Sequence, residues 1–305
     1  MRFDVAIEAY LVEMRAEGRI TSVHTEASYR SRLNVLGAQV ANRSPHTVGV
    51  GDIERTLATW PNPATSQHAR SVYVSFCDWC QHKRLMKTNP ARGTRPRRVK
   101  APNVYRLSRS EVVALFAACE DRRETRAIRI GCLAGLRNAE LCGLQLRHFK
   151  RPGAIWVSPD VAKGARQRFI PVLAELQEVV ADIHATVGED DYVIAGRRPL
   201  GGNAQTTWRE VPTLPSSPHA LRALVDRVAR RAGIAAHIHP HLLRHAFGDH
   251  VARQAGLRAA QATLGHASSA TTSGTYTGAP TLDELTAALA FFRYDEAPSP
   301  SEVPR

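Results

Sequence analysis

The run Asn89-Pro90-Ala91-Arg92-Gly93-Thr94-Arg95-Pro96-Arg97-Arg98-Val99-Lys100-Ala101-Pro102 limits what this chain can fold into more than any other stretch. Three prolines and a glycine interrupt any helix there, and all five charged side chains are basic, so the segment reads as an extended linker between two separately folded parts. The resulting division is a first domain over residues 1–91, a basic linker over 92–105, a second domain over 106–295 and a tail over 296–305 whose Pro- and Ser-rich composition predicts disorder. A length of 305 residues agrees with two domains. Both parts are basic, with 16 Lys and Arg against 8 Asp and Glu before residue 106 and 25 against 20 after it, within a formal net charge of +13. A polyanionic partner is the physical expectation.

In the first domain, apolar residues recur at helical spacing: Phe3, Ile7, Tyr10, Leu11 and Met14; Tyr29, Leu33, Leu36 and Val40; Ile53, Leu57 and Trp60; Val72, Phe76, Trp79 and Cys80. This predicts an all-helical domain of about four helices. After the linker, Ser108-Arg109-Ser110-Glu111 is a capping-box pattern that opens a helix. A second helix through Ile128, Ile130 and Leu133 runs into Gly135-Leu136-Arg137, with Asn138 expected to cap the next one. Ala154–Val157 and Arg168–Val172 read as two short strands of a hairpin turning through Lys163-Gly164. From there to about residue 292 the signals are again mostly helical, so the fold class is mainly α with one small β-hairpin.

Five cysteines, an odd number, do not make a disulfide framework, and a reducing, cytoplasmic setting is expected. No run approaches the ~18 apolar residues of a membrane helix. The N-terminus carries Asp4, Glu8, Glu13 and Glu17 in place of an apolar signal core, so neither membrane nor secretion is expected.

Polar functional residues concentrate at five places in the second domain: Gly135-Leu136-Arg137, Lys163, His241-Leu242-Leu243-Arg244, Leu264-Gly265-His266, and Thr271-Thr272-Ser273-Gly274-Thr275-Tyr276. The spacing of His241 and Arg244 puts imidazole and guanidinium on one helix face. Chemistry at a phosphodiester needs a nucleophile, cations for the developing oxygen charge and an acid for the departing oxygen. Tyr276 can serve as nucleophile if cations lower the cost of its phenolate, and Arg137 and Arg244 are suited to fork onto two phosphate oxygens.

In this order, these motifs resemble the tyrosine recombinases, or phage integrases. Gly135-Leu136-Arg137-x-x-Glu140-Leu141 is similar to the family's first arginine box, Lys163-Gly164 with Arg168–Val172 to its lysine hairpin, and His241-x-x-Arg244-His245, Leu264-Gly265-His266 and Thr271-Thr272 to Tyr276-Thr277 to its C-terminal signature. The resemblance covers residues 106–292. It implies a C-shaped, two-domain clamp on double-stranded DNA, built from a helical SAM-like core-binding domain and a catalytic domain. It also implies site-specific cutting and rejoining through a 3′-phosphotyrosyl bond to Tyr276. Arg137, Arg244 and His266 would then hold the transition-state oxygens, Lys163 would protonate the leaving 5′-oxygen, and His241 would assist proton transfer or phosphate positioning. The bond energy is conserved in the phosphotyrosine, so no ATP or other cofactor is implied, and with arginines on the phosphate oxygens a metal ion is unnecessary. Such a protein would assemble as a homotetramer on paired DNA sites, be a monomer free in solution, and leave room for accessory proteins. The spacing from His266 to Tyr276 is one residue longer than the family's usual one, with Gly274 placed to absorb it; Tyr294 is the only tyrosine beyond.

Other readings compete. His237, His239, His241 and His245 invite a zinc site, but no His-Glu-x-x-His helix accompanies them. Cys77-x-x-Cys80 with His82 invites another; with Phe76 and Trp79 interleaved, core cysteines are the better reading. Arg92, Arg95, Arg97, Arg98 and Lys100 are expected on DNA phosphates. The apolar stripe of the last helix, from Leu282 to Phe292, either seals its own domain or meets a neighbouring subunit. At the level of function, the rivals are a DNA-binding protein that keeps this fold without cutting and a type IB topoisomerase-like relaxing enzyme.

Overall fold

The computed structural model describes residues 1–98, 105–162, 167–200, 207–265, 280–290 and 292–294. Four helices form where the apolar spacing places them: α1 (Phe3–Ala16), α2 (Val23–Gln39), α3 (Val50–Ala58) and α4 (Pro63–His82). α4 starts at Asn62, whose Oδ1 accepts the Ala64 amide at 2.8 Å, followed by Pro63 in the first helical position, where its missing N–H costs nothing. Phe3, Ile7, Tyr10, Leu11 and Met14 of α1 turn to Val72, Tyr73, Phe76 and Cys80 of α4 in one buried cluster. Tyr10 and Phe76 meet edge to face at 5.4 Å, and the Tyr10 hydroxyl shares a hydrogen bond with Ser75 Oγ at 2.8 Å. Cys77 and Cys80 are fully buried here, and burial pushes the Cys77 thiol up to about 12, as expected for core cysteines.

The chain divides into two units, Met1–Asn103 and Val104–Arg305. The stretch read as a free linker from residue 92 is held to the first unit up to Arg97. Ala91 is buried, Arg70 donates to the Thr94 carbonyl at 2.8 Å, and Arg97 Nη1 donates to the Trp60 carbonyl at 2.7 Å.

In the second unit, Ser108 and Glu111 close the anticipated capping box at the start of α5 (Arg109–Ala117). The buried core forms around α6 (Arg122–Ala134), which packs on α5 and, further along the chain, on α9 (Pro218–Arg231) and α10 (Pro240–Leu264). α7 (Asn138–Cys142), α8 (Gln177–Thr186) and α11 (Leu282–Ala288) are the other α-helices among the described residues, and α10 is broken at Gly256 (φ 82°, ψ 164°). β1 (Ala154–Val157) and β2 (Arg168–Pro171) pair antiparallel, Trp156 opposite Phe169. The sequence reading foresaw this hairpin and missed a second: β3 (Ala195–Leu200) with β4 (Thr207–Pro215), Arg198 opposite Arg209. Its arginines and prolines carry no buried alternation from which a strand could be recognised. The last helix seals its own unit, with Leu285, Leu289 and Phe292 buried.

The turn leading into β1 is fixed by His148, which is fully buried. The Gln145 amide donates to its Nδ1 at 2.9 Å, and Nε2 bonds Ser158 Oγ at 2.9 Å. Burial holds its imidazole below the ordinary range, so the unfolded chain takes up this proton first and stability falls as pH drops below about 6.5. Urea midpoints of the wild type are expected to fall more steeply between pH 7.5 and 5.5 than those of His148→Gln; parallel curves would remove His148 as the cause.

Candidate active site

The site is built where α6 stops. Gly135 ends the helix in the left-handed region (φ 58°, ψ 34°), and a Cβ there would lie 2.3 Å from Phe247 Cδ1, so the sharp exit toward Arg137 requires glycine. Arg137, not Asn138, occupies the N-cap of α7, and Glu140 caps it from within by accepting the Arg137 amide at 2.8 Å. Asn138 instead donates to the Pro218 carbonyl at 3.2 Å.

Glu140 is fully buried and takes three further hydrogen bonds: from Arg137 Nη1 at 2.8 Å and from Arg168 Nη1 and Nη2 at 3.0 and 2.8 Å. Burial pushes its carboxyl up; Arg168, by hydrogen bond and charge, and then Arg137 outweigh this and hold it below the ordinary carboxylate range. It is therefore ionised at neutral pH. Sequence reading placed Glu140 and Arg168 inside motifs without giving either a role, since only the fold joins a strand residue to a helix residue 28 positions earlier.

Three guanidiniums converge on the last carbonyls of α10. Arg168 Nε donates to Thr263 at 3.0 Å, Arg244 Nη2 to Leu264 at 2.6 Å, and Arg137 Nη2 to Gly265 at 3.0 Å. Arg244 Nη1 also donates to the Gly135 carbonyl at 2.6 Å, tying the exit of α6 to the end of α10. These carbonyls have no helical partner of their own and form the negative end of the helix, so the arginines satisfy and cap them. Burial first, and the charge of Arg137 second, bring the Arg244 guanidinium down from 12.5 to about 10. It remains charged at neutral pH. Three cations face one carboxylate, which leaves a surplus of positive charge with the partly exposed Arg137 as its accessible member.

His241 lies in the first turn of α10, one turn before Arg244. Partial desolvation, then Arg244 and His245, lower its pKa, which keeps the ring neutral and able to accept a proton. His239 stands edge to face with it at 6.2 Å, and His237 Nδ1 is bonded to Asp226 Oδ1 at 2.7 Å. Among the described residues no group of three His, Cys, Asp or Glu is arranged to hold a metal ion. Lys163, His266 and Tyr276 lie outside the described residues, as does Lys100. Gly265, the left-handed cap of α10, is the residue directly before His266.

Tyr294, the only other tyrosine after Tyr276, is a core residue. It is 3% exposed, packed edge to face with Phe116 and Phe292, and burial raises its hydroxyl well above the ordinary range. A phenol so placed is no nucleophile. Of the basic run, Arg92 is paired bidentately with Asp78 at 2.9 and 2.8 Å, Arg97 holds the Trp60 carbonyl, and Arg98 is exposed. Arg95 lines a cavity of about 280 Å³ with Arg70, Arg97 and Glu54.

The profile of the phage integrase family matches residues 105–281, the stretch that holds this arginine cluster. This chain belongs to the phage integrase family. Tyrosine recombinase XerC of Xanthomonas campestris pv. campestris is 28% identical over 282 residues, covering 88% of this chain and 82% of XerC. XerC of Xylella fastidiosa strain M23 is 32% identical over 217 residues, 68% and 67% of the two chains. Among solved structures, a lambda integrase (75-356) dimer bound to a COC′ core site is similar with a TM-score of 0.72 at 17% identity, over 88% of this integrase and 96% of that chain. The Tn1549 transposon integrase in complex with circular intermediate DNA follows at 0.64 and 18%, over 93% and 98%. The fold is that of the tyrosine recombinases, mostly helical with small antiparallel sheets.

Proposed function

We propose that this chain is a site-specific DNA recombinase that cuts and rejoins duplex DNA through Tyr276. What carries the reading is the cluster of Arg137, Arg168 and Arg244 around Glu140 and the end of α10, an anion site within the stretch matched to the integrase family. Arg137 and Arg244 neutralise the charge that grows on the non-bridging oxygens of the scissile phosphate. The Tyr276 oxygen forms the new bond to phosphorus, its proton passing toward the neutral His241, while the bond to the 5′-oxygen breaks and Lys163 supplies the proton that makes a 5′-hydroxyl. His266, next to Gly265, joins the arginines on the phosphate. A 5′-hydroxyl from a second duplex then attacks the phosphotyrosine and frees Tyr276, so no external energy source enters. The lambda integrase dimer on a core site and tetramer on a Holliday junction support DNA as partner and assembly of several copies on it, a homotetramer on paired sites.

The test is incubation with nicked duplexes tiling the DNA that flanks the gene, followed by denaturing electrophoresis. A covalent adduct is expected that Tyr276→Phe abolishes while DNA binding stays within about twofold, since only one hydroxyl is lost. Binding without an adduct on any duplex would leave a DNA-binding protein on a recombinase fold. An adduct that survives in Tyr276→Phe would remove Tyr276 as nucleophile.

A further inference from the structure

The β3–β4 hairpin is anchored at its base, and its described residues further out are exposed. Its base is clamped by Arg123, a buried arginine of α6 that donates to the Ala195 carbonyl at 2.8 Å and to Ser216 Oγ at 3.0 Å. The Tyr192 amide donates to the Pro212 carbonyl at 2.8 Å, which adds a second tie. Burying a guanidinium on neutral partners is costly, and the return is a fixed direction for the ribbon. Beyond Gly196 and Val211 the ribbon leaves the core: Arg198, Pro199, Trp208, Arg209 and Glu210 are all exposed, Trp208 by 57%. A two-stranded ribbon exposed in this way gains little from burial.

The charges on the ribbon are arranged selectively. Arg197 is neutralised by Glu210 at 2.8 Å and by Asp121 at 3.4 Å. One step further out, Arg198 and Arg209 are directly opposed, and neither has a carboxylate partner among the described residues. Like charges facing each other across strands destabilise a hairpin. Arginine combines a charge with a planar fork suited to phosphate oxygens. Paired arginines on one face of an anchored ribbon fit a polyphosphate, and Trp208, opposite Pro199, stands on the other face.

We propose that the β3–β4 hairpin is a separate DNA arm, in which Arg198 and Arg209 hold duplex phosphates other than the scissile one. The inference rests on the proposed function only in taking the polyanion to be duplex DNA. Its test is the salt dependence of binding to a 30-base-pair fluorescent duplex by anisotropy, wild type against Arg198→Ala/Arg209→Ala, with Trp208→Ala alongside. Loss of two phosphate contacts is expected to make the slope of log K against log salt shallower by about 1.8 and to weaken binding by up to roughly 60-fold at 0.1 M salt. Trp208→Ala, on the other face of the ribbon, is expected to leave affinity within about twofold and the slope unchanged. Thermal midpoints of all variants should be no lower than that of the wild type, because the altered side chains are exposed and the facing arginines repel. An unchanged slope in the double variant overturns the inference, and an unchanged slope with loss of multimers on DNA assigns the hairpin to a second copy of the chain instead. The failures are separable: a shallower slope in a protein that forms no Tyr276 adduct keeps the arm and removes the recombinase reading.

Discussion

Glu140→Gln is expected to destabilise the second unit by about 3–5 kcal/mol, the cost of breaking a buried ion pair by removing one partner. The carboxylate is 1% exposed and accepts from the Arg137 amide, Arg137 Nη1 and both terminal nitrogens of Arg168, itself 9% exposed. A glutamine of the same shape offers one acceptor oxygen and turns an NH2 group toward guanidiniums that can only donate. The buried Arg168 and the partly exposed Arg137 are then left without their carboxylate. The effect is specific in pH. The folded carboxyl titrates below its unfolded value near 4.3, so its stabilisation is complete above that value and is lost as pH falls through the lower folded value. Urea midpoints of wild type and variant should therefore differ widely at pH 7 and converge in acid. A difference under about 1 kcal/mol at pH 7 would show that Arg137 and Arg168 are held by their carbonyl partners alone.

That prediction could not have come from the sequence, although both residues were in view. The motif around Arg137 is local, and its glycine turn, helix start and arginine are legible as residue types at fixed spacing. The partner that fixes Arg137 is Glu140, one turn away, but the residue that fixes Glu140 is Arg168 on β2, and no local pattern states that pairing. The carbonyls of Thr263, Leu264 and Gly265 have no side-chain signature at all. The two hairpins make the same contrast. Ala154, Ile155 and Val157 of β1, with Ile170 of β2, are buried, and their apolar run reads as strand. β3 and β4 are exposed over most of their length, and a ribbon without a core to face shows no alternation. Arg92 makes a related point: in a basic run its charge looks unpartnered, while Asp78, 14 residues earlier, pairs with it. Composition reports charge, and only the fold reports which charges are left over.

Arg244→Lys is expected to slow formation of the Tyr276 adduct by about 10²- to 10³-fold, roughly 2.7–4 kcal/mol, the loss that follows removal of one oriented donor to a developing oxyanion. Lysine keeps a positive charge and still fails on geometry. Arg244 reaches the Gly135 and Leu264 carbonyls with its two terminal nitrogens, each at 2.6 Å, and this double anchor holds the guanidinium plane in place. An ammonium is a point charge on a flexible stem and cannot reproduce it. The variant also carries a signature that a merely misplaced group would lack. Burial and the charge of Arg137 bring the guanidinium from 12.5 down to about 10. An ammonium starts near 10.4 and is pushed in the same direction, toward the neutral range. Lowered in this way, it loses its proton as pH rises, whereas the arginine stays charged. Single-turnover adduct formation by Arg244→Lys should therefore decline between pH 7 and 9 over a range in which the wild-type rate does not. A variant that matches the wild-type rate at pH 7 removes Arg244 from the transition state, and a low rate that follows the wild-type pH profile assigns it to holding α6 against α10.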